Sequence, residues 1–216
     1  MQTVNQQRMA PASRPRRQTK TKDLILSTAG RILSRDGYAR LTMERVAAES
    51  GVAKTTLYRR WPTKAALCMA LYLDVAGREL HDPDTGNVAS DLKHIANTVV
   101  RLHTRTVAGP AFLGLIAEAQ VNPGSRDAFL AEFADRRRAM TRLVLRRAIE
   151  RRELGPDTDI DLVIDALGGA VTFRLLQGHA PLTKQFTDAL VTLLLSGCRP
   201  PRKSRPSGGR TSPPRR

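Results

Sequence analysis

Several features that would point to an enzyme, a metalloprotein or a membrane protein are missing from this chain. Its two cysteines, Cys68 and Cys198, stand far apart and lack the paired spacing of a zinc site or a redox motif, so both are read as small apolar residues. The four histidines, His81, His94, His103 and His179, show no metal-ligand spacing with each other or with carboxylates. No uncharged apolar run approaches the roughly 18 residues a membrane-spanning helix needs. The longest apolar stretches, Val163 to Leu176 and Ala189 to Leu195, are interrupted by Asp165, Thr172 and Arg174 or are too short. No apolar segment follows the basic N-terminal residues before Leu24, so no signal peptide is read and the expected compartment is the cytoplasm, at the nucleoid. Period-two alternation is almost absent, and no strand precedes Gly37 or Gly51 to make either part of a phosphate-cradling loop. No catalytic constellation is visible, and no cofactor is expected.

Acidic residues are also scarce, and where they are scarce matters. The chain holds 36 basic and 20 acidic residues, a net charge of +16. Six basic residues and no acid precede Asp23 (Arg8, Arg14, Arg16, Arg17, Lys20, Lys22), and seven with no acid follow Ser196 (Arg199, Arg202, Lys203, Arg205, Arg210, Arg215, Arg216). Setting these thirteen aside leaves 23 bases against 20 acids, so the body carries only +3. Both tails are rich in polar residues and proline or glycine, cannot repay the entropy of ordering, and are expected to be disordered arms over 1–21 and 198–216. Such arms suit a polyanion, nucleic acid first, or simply aid solubility.

What is present is helical spacing. From Lys22 to Asp36, Leu24, Ile25, Ala29, Ile32 and Leu33 share one face, and Gly37 ends the run. Thr42 is placed to cap a short second helix ended by Gly51, and a third, Lys54 to Trp61, stops at Pro62. Thr63 then caps a fourth helix. Five more are predicted: Asn87 to Thr106, Pro110 to Gln120, Ser125 to Glu153, Asp159 to Gly178 and Thr183 to Ser196. The fold class is therefore all-α, of about nine helices.

Residues 42–64 have the mechanics of a helix-turn-helix. Ala47 is small where two helices cross, Gly51 supplies a positive backbone angle at the turn, and Leu57 plugs the gap between the helices. With the flanking run Tyr58-Arg59-Arg60-Trp61-Pro62-Thr63-Lys64, the stretch 41–67 resembles the DNA-binding signature of the TetR/AcrR family of transcriptional regulators. The resemblance implies a three-helix DNA-binding domain at 22–67 and a helical ligand-binding and dimerisation bundle at 68–197. By the same resemblance Lys54, Thr55, Thr56 and Arg59 reach base edges, while Thr42, Tyr58 and Lys64 hold phosphates. Arginine pairs bidentately with guanine, so Arg59 or Arg60 sets specificity. Trp61 is expected to pack beneath the motif. Ala53 stands where the family often has a hydroxyl cap, which leaves the start of the third helix less secure.

In the body, an apolar ligand pocket is expected around His103, Phe112, Leu115, Ile116, Phe133 and Met140, which suits a small hydrophobic or aromatic effector. Ile164, Leu167, Gly168 and Val171 with Phe186, Leu190, Leu193 and Leu194 are expected to form a homodimer interface. The other reading of these eight is core within one subunit. The arginines of 136–152 interleave with acids and read as a solvated face. The function expected is a repressor that binds a palindromic operator in double-stranded DNA as a dimer and is released by the effector. The alternative is a weakly sequence-specific or architectural DNA-binding protein dominated by its basic arms.

Overall fold

The computed structural model describes residues 14–131 and 135–198. Most of the two basic arms, at 1–13 and 199–216, lies outside the described residues. Among those described there are ten helices and no strand: α1 (Arg14–Arg40), α2 (Met43–Ser50), α3 (Lys54–Arg60), α4 (Lys64–Glu79), α5 (Val88–Arg105), α6 (Ala108–Val121), α7 (Pro123–Phe129), α8 (Asp135–Glu150), α9 (Ile160–Gln177) and α10 (Lys184–Cys198). No helix among the described residues is long and apolar enough to cross a membrane.

Helix boundaries follow local chemistry. Thr42, Thr63, Asn87, Asn122 and Asp159 each accept a hydrogen bond from the backbone N–H three residues on, satisfying a donor the helix itself cannot. Thr183 does the same for Phe186. Each such cap contributes about 1 kcal/mol. Gly51 closes α2 in the left-handed conformation at φ 69°. Gly37, at φ 78° and ψ 173°, kinks α1 where the sequence predicted an end.

Two expectations are corrected. α1 begins at Arg14, not Lys22, so the last eight residues of the N-terminal arm, 14–21, are helical. Pro15 falls in the first turn, where its missing N–H costs nothing, and the following Arg, Gln and Lys are good helix formers. The single helix predicted from Ser125 to Glu153 is two, α7 and α8, which raises the number from nine to ten. Phe129 of α7 packs on one core cluster, whereas Val144, Leu145 and Ala148 of α8 belong to another.

The first cluster joins α1–α4 to the end of α5 and the inner face of α6. Leu67 and Cys68, on either side of the expected domain division, are both wholly buried in it. Burial pushes the Cys68 thiol up to about 12. Close approach of α6 to α1 depends on Gly114, where a Cβ would come within 2.0 Å of the Tyr38 ring. The second cluster unites α5, α8, α9 and α10.

That second cluster also takes in most of the residues expected at the dimer face. Ile164, Leu167 and Val171 are 8%, 5% and 2% exposed and lie inside the subunit's own core, Gly168 is half-buried, and Phe186, Leu190 and Leu194 pack against the same core. Only Leu193 of the eight is a largely exposed side chain, at 69%. α9 is apolar on most sides, so its sequence periodicity could not say which stripe faces inward. The outward stripe is Leu162, Ala166, Gly169, Phe173 and Leu176, spaced alternately by four and three residues.

Gly114→Ala is expected to destabilise the fold by about 1–3 kcal/mol through overpacking against Tyr38. Gly77→Ala, at an exposed position in α4 with open space around it, is expected to stabilise by roughly 0.5–1 kcal/mol. Thermal melts of the two variants check both signs; equal shifts would contradict the close approach at Gly114.

Candidate nucleic-acid interface

α2 and α3 are held at a fixed angle by very few residues. Leu57 is wholly buried between them together with Val46 and Ala47, and Gly51 turns the chain. Trp61, 7% exposed, closes the motif from beneath as expected, and its N–H returns to the Leu57 carbonyl at 2.9 Å. Ala53 gives α3 no side-chain cap. A helix of seven residues without a cap is marginal alone, so α3 is stabilised chiefly by the seating of Leu57.

Four charges brace α2 against α1. Arg45 meets Asp36 at 2.5 Å and Glu49 at 2.9 Å, and Arg35 meets the same two carboxylates at 2.9 and 3.1 Å. Arg35 and then Arg45 hold the Asp36 carboxyl below the usual range. These pairs are solvent-exposed, so each is individually weak and their value is in fixing orientation.

The candidate contact residues fall into two groups. Lys54, Thr55, Arg59 and Arg60 are exposed along α3, with Thr56 half-buried. None of the three cations makes an ion pair among the described residues; Arg60 instead stacks over the Trp61 ring at 5.2 Å. The others are already engaged within the chain. Thr42 caps α2, and Lys64 lies 4.1 Å over the Tyr38 ring and donates to the Tyr38 carbonyl at 3.5 Å. Tyr58 donates its hydroxyl to Glu44 at 2.7 Å, which pins the outer end of α3 to the first turn of α2. Neither Glu44 nor Tyr38 was singled out from the sequence. Contacts across 14 and 26 residues leave no periodic signal, and only the folded motif brings these groups together.

The described residues of the expected ligand pocket are divided between the two clusters. Phe112 stacks on His103 with centroids 4.5 Å apart, Tyr72 reaches the His103 ring nitrogen at 3.2 Å, and Phe129 lies 6.2 Å from Phe112. These rings, with buried Leu115 and half-buried Ile116, belong to the first cluster. Met140 packs on the second cluster, and Phe133 lies outside the described residues.

Two family models match the chain. One, described as bacterial regulatory proteins of the tetR family, covers residues 25–71; the other, tetracyclin repressor-like, C-terminal domain, covers 82–194. The DNA-binding transcriptional repressor TetR of Mycobacteroides abscessus is 36% identical over 81% of this chain and 94% of its own length. An HTH-type transcriptional regulator of Mycobacterium tuberculosis is 32% identical over 77% of this chain and 82% of its own. Among solved structures, the TetR family transcription regulator SCO0332 superposes with a TM-score of 0.71 at 39% identity, covering 84% of this chain and all of that one. The likeness visible at residues 41–67 therefore extends through the helical body.

The Tyr58 hydroxyl is the first cause of the lowered Glu44 carboxyl, and Glu44 in turn raises Tyr58. A lowered carboxyl contributes stability above its ordinary range and loses it as pH falls through the lowered value. Tyr58→Phe is expected to bring the Glu44 titration back up toward that of an ordinary glutamate, read by NMR of the carboxyl carbon; an unmoved titration would exclude the Glu44–Tyr58 bond.

Proposed function

The chain belongs to the TetR family of bacterial transcriptional regulators, and from that premise we propose that it acts as a dimeric repressor whose α3 reads the major groove of a palindromic operator. The observation that supports this reading best is the outer face of α3. Lys54, Thr55 and Arg59 point to solvent with no ion pair, while the buried side of the same seven-residue helix is spent on seating Leu57. A cationic edge held rigidly and left unneutralised suits phosphates and guanine edges. In this reading Lys54, Thr55, Thr56 and Arg59 meet bases. Thr42, Tyr58, Arg60 and Lys64 meet the backbone, which fixes register without choosing sequence. Lys64 reaches a phosphate by leaving the Tyr38 carbonyl, and Tyr58 by sharing its hydroxyl with Glu44.

The dimer forms, in this proposal, through the outward stripe of α9 with Leu193 of α10. Leu162, Phe173 and Leu176 are 64%, 58% and 50% exposed in the single subunit, and a continuous apolar seam of that kind is a liability unless covered. A second copy covers it with self-complementary chemistry, and two-fold symmetry sets paired α3 helices about 34–36 Å apart for two half-sites. A small hydrophobic or aromatic effector then favours a body in which that spacing is wrong. Release costs the complex the differential affinity of the two states, about 1–3 kcal/mol.

Arg59→Ala is expected to cost roughly 1–3 kcal/mol at the preferred site and to relax preference at one base position. Lys64→Ala should instead weaken all sequences alike and flatten the salt slope by about 0.9. Selection of bound sequences from random DNA with wild type and each variant tests the reading; an identical sequence preference for Arg59→Ala would sink it.

Phe173→Asp combined with Leu193→Asp is expected to give monomers by sedimentation and to weaken operator binding at least about tenfold, while helicity is kept. A variant that still sediments as a dimer would refute the seam.

A further inference from the structure

A cleft of about 890 Å³ opens where the end of α3 and the start of α4 meet α7. Its floor is apolar, made by Trp61, Met69, Leu73, Leu115 and Phe129. Its rim is cationic, with Lys22, Arg60 and Arg78 set against one carboxylate, Asp74. That carboxylate is already spoken for: Lys22 lies 3.5 Å from one oxygen and Arg78 donates to the other at 2.7 Å. Among the described residues no carboxylate pairs with Arg60, and its guanidinium lies over the indole of Trp61. Three cations against one carboxylate leave two positive charges at the mouth of an oily groove. The volume is that of an ordinary small-molecule site, and of the described residues expected in the pocket only Leu115 lines it.

We propose that this cleft binds a small amphipathic organic anion, an apolar ring or chain ending in one carboxylate or sulfonate, with the anion on Arg60 and the apolar body over Trp61 and Phe129. A planar guanidinium binds such a group through two parallel hydrogen bonds, which a neutral or cationic ligand of the same shape cannot make. Apolar side chains on the floor take up the remainder of the molecule.

The site also supplies its own link to DNA. Arg60 stands at the last turn of α3, one residue after the base-reading candidate Arg59. Its guanidinium can serve an anion in the cleft or a phosphate of the duplex, not both at once. Ligand and DNA are thus competitors for one side chain, and each weakens the other by the same factor. This consequence rests on the DNA-binding function proposed above; the existence of the site does not.

The full chain titrated with 8-anilinonaphthalene-1-sulfonate, and with N-phenyl-1-naphthylamine as the same body lacking its sulfonate, separates the parts. The sulfonate should bind once per subunit and about tenfold more tightly than the neutral amine. Arg60→Gln, an exposed change that leaves the fold intact, should erase that tenfold preference, and Ala70→Phe, which fills the cleft, should abolish binding of the sulfonate. Equal affinity for the two probes, or sulfonate binding unchanged in Arg60→Gln, overturns the proposal. On the selected operator, saturating sulfonate should weaken wild type about fivefold or more and leave Arg60→Gln unaffected; indifference of wild type overturns the competition. Arg60-dependent sulfonate binding by a chain that selects no DNA sequence upholds the site and counts against the function above.

Discussion

Everything in this molecule turns on α4 having almost no free side. Ala65, Leu67, Cys68, Met69, Leu71, Tyr72 and Ala76 are all buried along its length. It packs on α1, α5 and α6, and the capped turn at Pro62 and Thr63 ties its first residue to the end of α3. The motif therefore has no loose tether to the body. Its orientation is set by how α4 lies against α6, and α6 in turn lies bare-backed against Tyr38 through Gly114. A close-packed contact of this kind does not bend continuously; it exchanges one packing for another. Tyr72, His103 and Phe112 lie where α4, α5 and α6 meet, so they belong to the packing that sets the direction of α4.

Charge is organised on the same plan. In the body, arginines are matched to carboxylates brought from other elements, Arg138 to Asp161 and Asp165, Arg142 to Asp161, Arg147 to Asp82 and Asp84, and Arg151 to Asp84, with Glu153 as a local partner of Arg151. These four arginines are a paired, half-buried surface, and apart from Glu153 their partners are not the acids that interleave with them in sequence. On α3 the cations have no such matching. The difference between the two surfaces is one of pairing and not of arginine content, which a count of residues does not reveal.

How much of this the sequence disclosed depended on the range of the interaction. Thr42, Gly51, Leu57, Pro62 and Thr63 announce the motif because caps, turns and plugs act within a few residues, and the structure has each in its expected place. The start of α1 lies eight residues before Lys22 because it needs only ordinary helix formers after a proline, which carry no apolar periodicity. α9 defeated periodicity outright: Ile164, Leu167 and Val171 form one apolar stripe, Leu162, Phe173 and Leu176 another, and only packing distinguishes them. His103 and Phe112, expected in the pocket lining, are interior, and what surrounds them is set by partners such as Tyr72, 31 positions from His103. Glu44 and Tyr38 belong to the same class of long-range partner.

The sealed position of Cys68 has one last implication. A thiol wholly buried and held near 12 exists almost entirely in its unreactive protonated form at cellular pH. Peroxides and electrophiles attack the thiolate, so burial shields Cys68 from both and leaves its sulfur to act as a packing atom between α4 and its neighbours.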